Sequence, residues 1–165
     1  MSRTKEVLLD LIHMSSMAMT SGRSMPSEFM LDRYSYERYI ERNKQYRAKE
    51  AIKRMEEQNL FKIKETGDKI MFKLDNKGKQ TGIKEAILQT ESELPGDLRC
   101  LVSFDIPEYV KETRVVLRQF LKKAGFKQVH RSVWQSKLNV INLMKSLVNE
   151  MDAGEWVKVY QAVEG

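Results

Sequence analysis

Asp105 stands alone at the end of an apolar run, Leu101-Val102-Ser103-Phe104-Asp105, with Ile106-Pro107-Glu108 directly after it. A carboxylate at a strand end can hold a divalent ion that activates water against a phosphodiester, the chemistry of a metal-dependent nuclease. The same D-x-x-E spacing suits a capping box. Asp105 would accept from the N–H of Glu108, and Glu108 would reach back to the N–H of Asp105. No second strand carboxylate accompanies Asp105, and hard cations favour several oxygen ligands, so capping is preferred over catalysis here. The other candidate chemistry is cationic. Gln45, Tyr46, Arg47, Lys49, Lys53 and Arg54 gather in one helical segment, and Lys62, Lys64, Lys69 and Lys73 stud the next segment. Arg47 and Lys53 have the donors for guanine edges, Gln45 can pair with adenine, and Lys49 and Arg54 suit phosphates. The hairpin lysines serve equally to protect strand edges.

Other chemistries find little support. Cys100 is the single cysteine, which excludes an intrachain disulfide and points to a core position, and two distant histidines make a zinc site improbable. His13 falls on or beside an apolar helix stripe, where packing is expected. His130 has no neighbouring Asp, Cys or Ser constellation, so general-base work is unsupported. No cofactor is expected, apart from Mg2+ in the nuclease alternative.

Composition points the same way as the cations. The net charge is +6, which suits a polyanionic partner. Residues 1–90 hold 18 Lys/Arg against 13 Asp/Glu and residues 91–165 hold 11 against 10, so the DNA-facing part is expected to be N-terminal. The N-terminus lacks the continuous apolar run of a signal peptide or membrane span, so a cytoplasmic protein with no membrane partner is expected.

Elements must hold these residues in place. Val7, Leu8, Leu11, Ile12, Met14, Ala18 and Met19 recur at helical spacing and predict a first helix ending near Thr20-Ser21-Gly22. Ser24-Met25-Pro26-Ser27 reads as a second helix start, with Phe29, Met30, Tyr34, Tyr36, Tyr39 and Ile40 following. The three tyrosines are read as core and helix-packing residues. Asn43 is the predicted N-cap of a third helix running to about Gln58, with Ala48, Ala51, Ile52 and Met55 inside and Tyr46, Arg47, Lys49, Lys53 and Arg54 outside or on the flanks. Phe61 to Leu74 alternates around Thr66-Gly67-Asp68 as a two-stranded hairpin. Helices followed by a lysine-studded hairpin make a winged helix-turn-helix. Gly78 and Gly82 interrupt a further short helix ending near Leu88.

The second half reads β-α-β-(β)-α-β. A strand covers about Arg99 to Asp105, and a helix buries Val110, Thr113, Val116, Leu117, Phe120, Leu121 and Ala124 before Gly125 at C′. Residues 127–136 are extended, with Val129, Arg131 and Val133 on one face, and are either one bent strand or a very tight hairpin. Asn139 caps a helix, and Trp156 to Val163 is a last strand. The tryptophans, Trp134 and Trp156, are most simply core or dimer-interface aromatics. The fold class is α+β: a winged helix-turn-helix over 1–90, a linker over 91–97 and a ferredoxin-like domain over 98–165.

Leu101 to Glu108, Arg114-x-x-Leu117-x-x-Phe120-Leu121, Gly125-Phe126 and Arg131-Ser132-Val133-Trp134 resemble the CRISPR-associated Cas-two family, and at least as much the related central domain of PaaX-type repressors. This resemblance covers roughly the last 65 residues. Tyr46-Arg47-x-x-x-x-Ile52-x-x-Met55-x-x-x-x-Leu60, the hairpin, and Leu74-x-x-x-Gly78 further resemble a repressor's winged helix. The PaaX resemblance implies a homodimeric transcriptional regulator, built from paired ferredoxin-like domains in a prokaryotic cytoplasm, that binds double-stranded DNA. PaaX repressors normally carry a further C-terminal domain, and no coenzyme A thioester ligand is carried over. The Cas-two resemblance implies the alternative, a metal-dependent endonuclease with Asp105 as catalytic and metal-binding carboxylate, or a structural partner of a CRISPR integrase.

Overall fold

A computed structural model of the chain describes residues 3–15, 25–163 and 165. It divides into two compact units, Met1–Glu85 and Ala86–Gly165, ahead of the boundary expected at residue 90.

The first unit begins with α1 (Arg3–Met14), whose Val7, Leu8, Leu11 and Ile12 are buried. The helix end predicted near Thr20-Ser21-Gly22 lies outside the described residues, as do Ala18 and Met19. A strand, β1 (Glu28–Asp32), stands where a helix start was expected. The alternation Glu-Phe-Met-Leu-Asp decides it, because period two buries Phe29 and Leu31 together and leaves Met30 outside. The next helix, α2 (Arg33–Arg42), starts at Asp32, whose carboxylate accepts from the N–H of Ser35 at 2.8 Å. That bond holds the Asp32 carboxyl below its ordinary pKa. After a 3-10 turn at Lys44–Tyr46 come α3 (Ala48–Glu57), β2 (Phe61–Thr66), β3 (Lys69–Leu74) and α4 (Asn76–Gln89). The strands form an antiparallel sheet in the order β1-β3-β2.

One face of this sheet is core. Phe72 stacks on Phe29 with ring centroids 4.8 Å apart and takes the edge of Phe61 at 5.4 Å, while Ala51, Ile52 and Met55 of α3 are buried. Of the three tyrosines assigned to the core, Tyr39 is buried and bonds through its hydroxyl to Asp10, Tyr36 is half-buried, and Tyr34 is exposed. His13 is also exposed, not packed.

The second unit contains β4 (Leu98–Phe104), α5 (Lys111–Lys123), β5 (Lys127–His130), β6 (Val133–Ser136), α6 (Ile141–Glu150) and β7 (Val157–Val163). Its sheet runs β5-β6-β4-β7 with every pairing antiparallel, which is the ferredoxin-like order. The middle segment is the very tight hairpin of the two alternatives. His130 pairs with Val133 across Arg131-Ser132, and a register shift lies between Gln128 and His130. Arg131 is therefore a turn residue and does not share a strand face with Val129 and Val133.

Cys100, Val102 and Phe104 face the core of this unit with Leu117, Leu121, Trp134, Met144 and Leu147. Burial pushes the Cys100 thiol up to about 12. Val116, expected inside, is half exposed at 48%. Gly125 does occupy the left-handed position after Ala124, with φ 78°. Asn139 does not cap α6; Val140 holds that position without a side-chain bond. Within 91–97, the N–H of Leu94 bonds to Lys137 and Ser92 accepts from the N–H of Asn139, so this segment is hydrogen-bonded into the second unit. No helix of the described residues is long and apolar enough to cross a membrane.

Candidate nucleic-acid interface

The lead-in to α3 is where the structure departs most from a single capped helix. Asn43 ends α2, with its side-chain amide donating to the Tyr39 carbonyl at 3.0 Å, and its side chain makes no capping bond to the 3-10 turn after it. The chain turns through Lys44-Gln45-Tyr46 and reverses at Arg47, which sits in the left-handed region at φ 54°. The turn spends Arg47's N–H on the carbonyl of Lys44, and the Arg47 carbonyl then accepts the first bond of α3 from Ala51. Gln45, Tyr46 and Arg47 are all exposed as a result.

Lys49, Lys53 and Arg54 are also exposed, but they do not form a uniformly basic face. At about 100° per residue Glu50 and Glu57 share the outward side with Lys53, and Glu56 lies beside Lys49. Lys53 and Glu57 approach to 3.9 Å. Three acids thus offset three bases along α3 itself, and the cationic excess lies just before it, at Lys44 and Arg47. Lys44 was absent from the candidates although it adjoins Gln45. The signal available was its place outside the helical period.

The hairpin brings its lysines to one face. Lys62 is opposite Lys73, Lys64 opposite Met71, and Thr66 opposite Lys69, while Phe61 and Phe72 point to the core. Like charges directly opposed repel, so the Lys62–Lys73 pair is not explained by edge stability. β1 continues this face with Glu28 beside Lys73 and Asp32 beside Lys69. The hairpin turn, with Gly67 at φ 58°, is tied to α2 by a residue that sequence reasoning missed. Arg33 donates to Glu65 Oε2 at 2.9 Å and to the Gly67 carbonyl at 3.2 Å, and its own N–H bonds to the Asp68 carbonyl. The partners are more than thirty residues away in sequence, so no local pattern marks them. A groove between α2, α3 and β2 is lined by Tyr36, Ile52 and Ile63 with Lys49, Lys53 and Glu56 at its rim. Burial, with help from Glu65 and Glu56, raises the Tyr36 phenol's pKa.

In the second unit, the sheet order, the two-residue hairpin after His130 and the Gly125 turn occur together over one continuous stretch. Residues 99–165 match the family described as PaaX protein central Cas2-like domain. Over that stretch the second unit is similar to the central domain of PaaX-type proteins. This match supports a PaaX-type protein, as the resemblance implied. No curated protein sequence matches the chain.

Asp105 in this domain does not cap a helix. Its N–H bonds to the Trp156 carbonyl at 2.9 Å, and its side chain is exposed. The chain after it runs extended through Pro107 into a 3-10 turn at Glu108–Val110, and α5 begins only after Val110. Neither start has a side-chain cap. Pro107 explains the failure: its ring fixes an extended entry, and the next turn begins too late for the carboxylate of Asp105 to reach. Glu108 instead receives Arg114 at 2.8 Å. Among the described residues no three His, Cys, Asp or Glu gather as a metal group. Glu108 is engaged elsewhere and Asp105 alone supplies too few oxygens, so the described residues around it do not fit a magnesium site by themselves.

Proposed function

We propose that the chain is a DNA-binding transcriptional regulator of PaaX-like type, in which the first unit is a winged helix and the ferredoxin-like unit forms the homodimer. The observation that carries this reading is the element order α1-β1-α2-α3-β2-β3 with its β1-β3-β2 sheet. That order sets an exposed Lys44–Arg47 lead-in before α3 and a lysine-faced hairpin after it. In such an arrangement the start of α3 enters the major groove, where its first residues reach base edges, and the hairpin lysines meet flanking phosphates. Arg47 and Lys53 are assigned to bases, with Gln45, Tyr46, Lys49 and Arg54 around them, and Lys62, Lys64 and Lys69 to the backbone.

The test is a duplex titration at moderate salt. Arg47→Ala with Lys53→Ala should weaken binding at least tenfold, as expected when two base or phosphate contacts are lost. Unchanged affinity would remove α3 from the interface.

A second reading has one observation in its favour. Asp105 is exposed and free of the capping duty that would have accounted for it, so a Cas-two-like nuclease, or an integrase-associated structural protein, stays as the alternative. It would need carboxylates from a second protomer to complete any metal site.

A further inference from the structure

We propose that α5 of the PaaX-type domain carries a second contact for the phosphate backbone of duplex DNA, separate from α3 and the hairpin. The proposal rests on duplex DNA being the partner inferred above. Lys111, Arg114, Arg118 and Lys122 recur at i, i+3, i+7 and i+11, so they share one flank of α5. The flank's long side chains are the four cations alone. Glu112 lies round the helix from it, and Glu108 is held by Arg114. Arg131, exposed in the β5–β6 turn, adds a fifth cation to this end of the sheet. Even with Glu108 and Asp105 both counted against them, five cations face two carboxylates. Along α3, by contrast, three bases face three acids.

The centre of this stripe is fixed in place before any ligand arrives. Arg118 donates to the Arg131 carbonyl at 2.9 Å and lays its guanidinium over the Phe104 ring at 5.7 Å. Its Nε is buried with no hydrogen-bond partner among the described residues. An arginine held this way has little conformational entropy left to lose, and it fixes a positive charge at the centre of the stripe between the exposed lysines. The exposed ends of the stripe are Lys111 and Lys122. At 1.5 Å per residue they stand about 17 Å apart along the helix, far enough to meet separate phosphates. A backbone contact of this kind reads no bases. It would add affinity equally on every sequence and leave discrimination to α3.

The experiment uses the full chain and two variants, Lys111→Gln/Lys122→Gln and Arg47→Ala/Lys53→Ala, each titrated with a preferred and an unrelated duplex across a salt series. Removing the two α5 lysines should flatten the slope of log K against log salt by about 1.8 and weaken both duplexes by the same factor, at least fivefold. Both lysines are exposed, so the melting temperature should hold. An unchanged slope overturns the α5 contact while leaving α3 untouched. If instead the α3 variant is silent and the α5 variant flattens the slope, the stripe stands and the winged-helix reading falls. A duplex RNA of equal length is the third arm. A loss confined to RNA overturns the assignment of DNA.

Discussion

Arg47 holds two roles that pull against each other. Its backbone lies in the left-handed region, where a β-carbon crowds the following carbonyl at a cost of about 1–2 kcal/mol, yet the reversal there is what exposes its guanidinium ahead of α3. A glycine would relax the backbone and delete the charge. Arg47→Gly should therefore keep or raise the melting temperature while weakening duplex binding at least fivefold; a variant that melts lower and binds as before would show the side chain acts in packing only. Asp105 sets a different question at the same scale. Since its exposed carboxylate caps nothing, Asp105→Asn should change stability by less than about 0.5 kcal/mol and leave duplex binding intact. Wild type should show no magnesium-dependent cleavage that the variant lacks. Nicking abolished by this one substitution would move the protein to the nuclease class.

At the level of elements, α4 runs unbroken through both glycines that were expected to interrupt it. Gly78 has no room for a side chain, because a β-carbon there would strike the backbone carbonyl of Leu60. That carbonyl also accepts the N–H of Asp75, so the start of α4 and the entry to β2 are locked at contact distance. Gly78→Ala should cost about 3 kcal/mol, measured by denaturant unfolding, and a neutral result would mean that this junction yields. Such a contact explains what the sequence could and could not reveal. The hairpin was readable because its alternation and its glycine are local, and so was the β-α-β-(β)-α-β order, whose helices carry clear apolar stripes, although the choice between one bent strand and a tight hairpin in its middle stayed open. β1 was not, since five residues flanked by proline and tyrosines carry a weak period, and their strand character depends on pairing with β3 some forty residues later. The capping box failed for a related reason. D-x-x-E spacing is local, but Pro107 moves the helix start beyond its reach.

For the whole molecule, charge and symmetry must work together. The excess of positive charge over residues 1–90 set the expected direction of DNA binding, yet α3 is locally balanced and the stripe on α5 is not, so net charge by half-chain is a coarse guide to where positive charge gathers. On the proposed reading, sequence preference would come from a few residues per protomer, and doubling them is the usual remedy. The ferredoxin-like unit offers the surface for it. Its helices cover the face of Cys100, Val102 and Phe104, whereas the opposite face pairs Leu101 with Tyr160 and also carries Val133 and Ala162, with Arg99, Gln135 and Lys158 around them. Tyr160 is 51% exposed there, a large apolar ring with no layer over it among the described residues. Two such faces packed together would bury both and relate the two first units by a twofold axis. The full chain should therefore be a dimer by light scattering at micromolar concentration and prefer two half-sites a whole number of helical turns apart. Leu101→Lys with Tyr160→Lys should give a folded monomer that binds a single half-site as before but loses the gain from the paired site. A wild-type monomer at that concentration would reject the dimer and the symmetric site together, and a variant that stays dimeric would move the interface from this face to a strand edge.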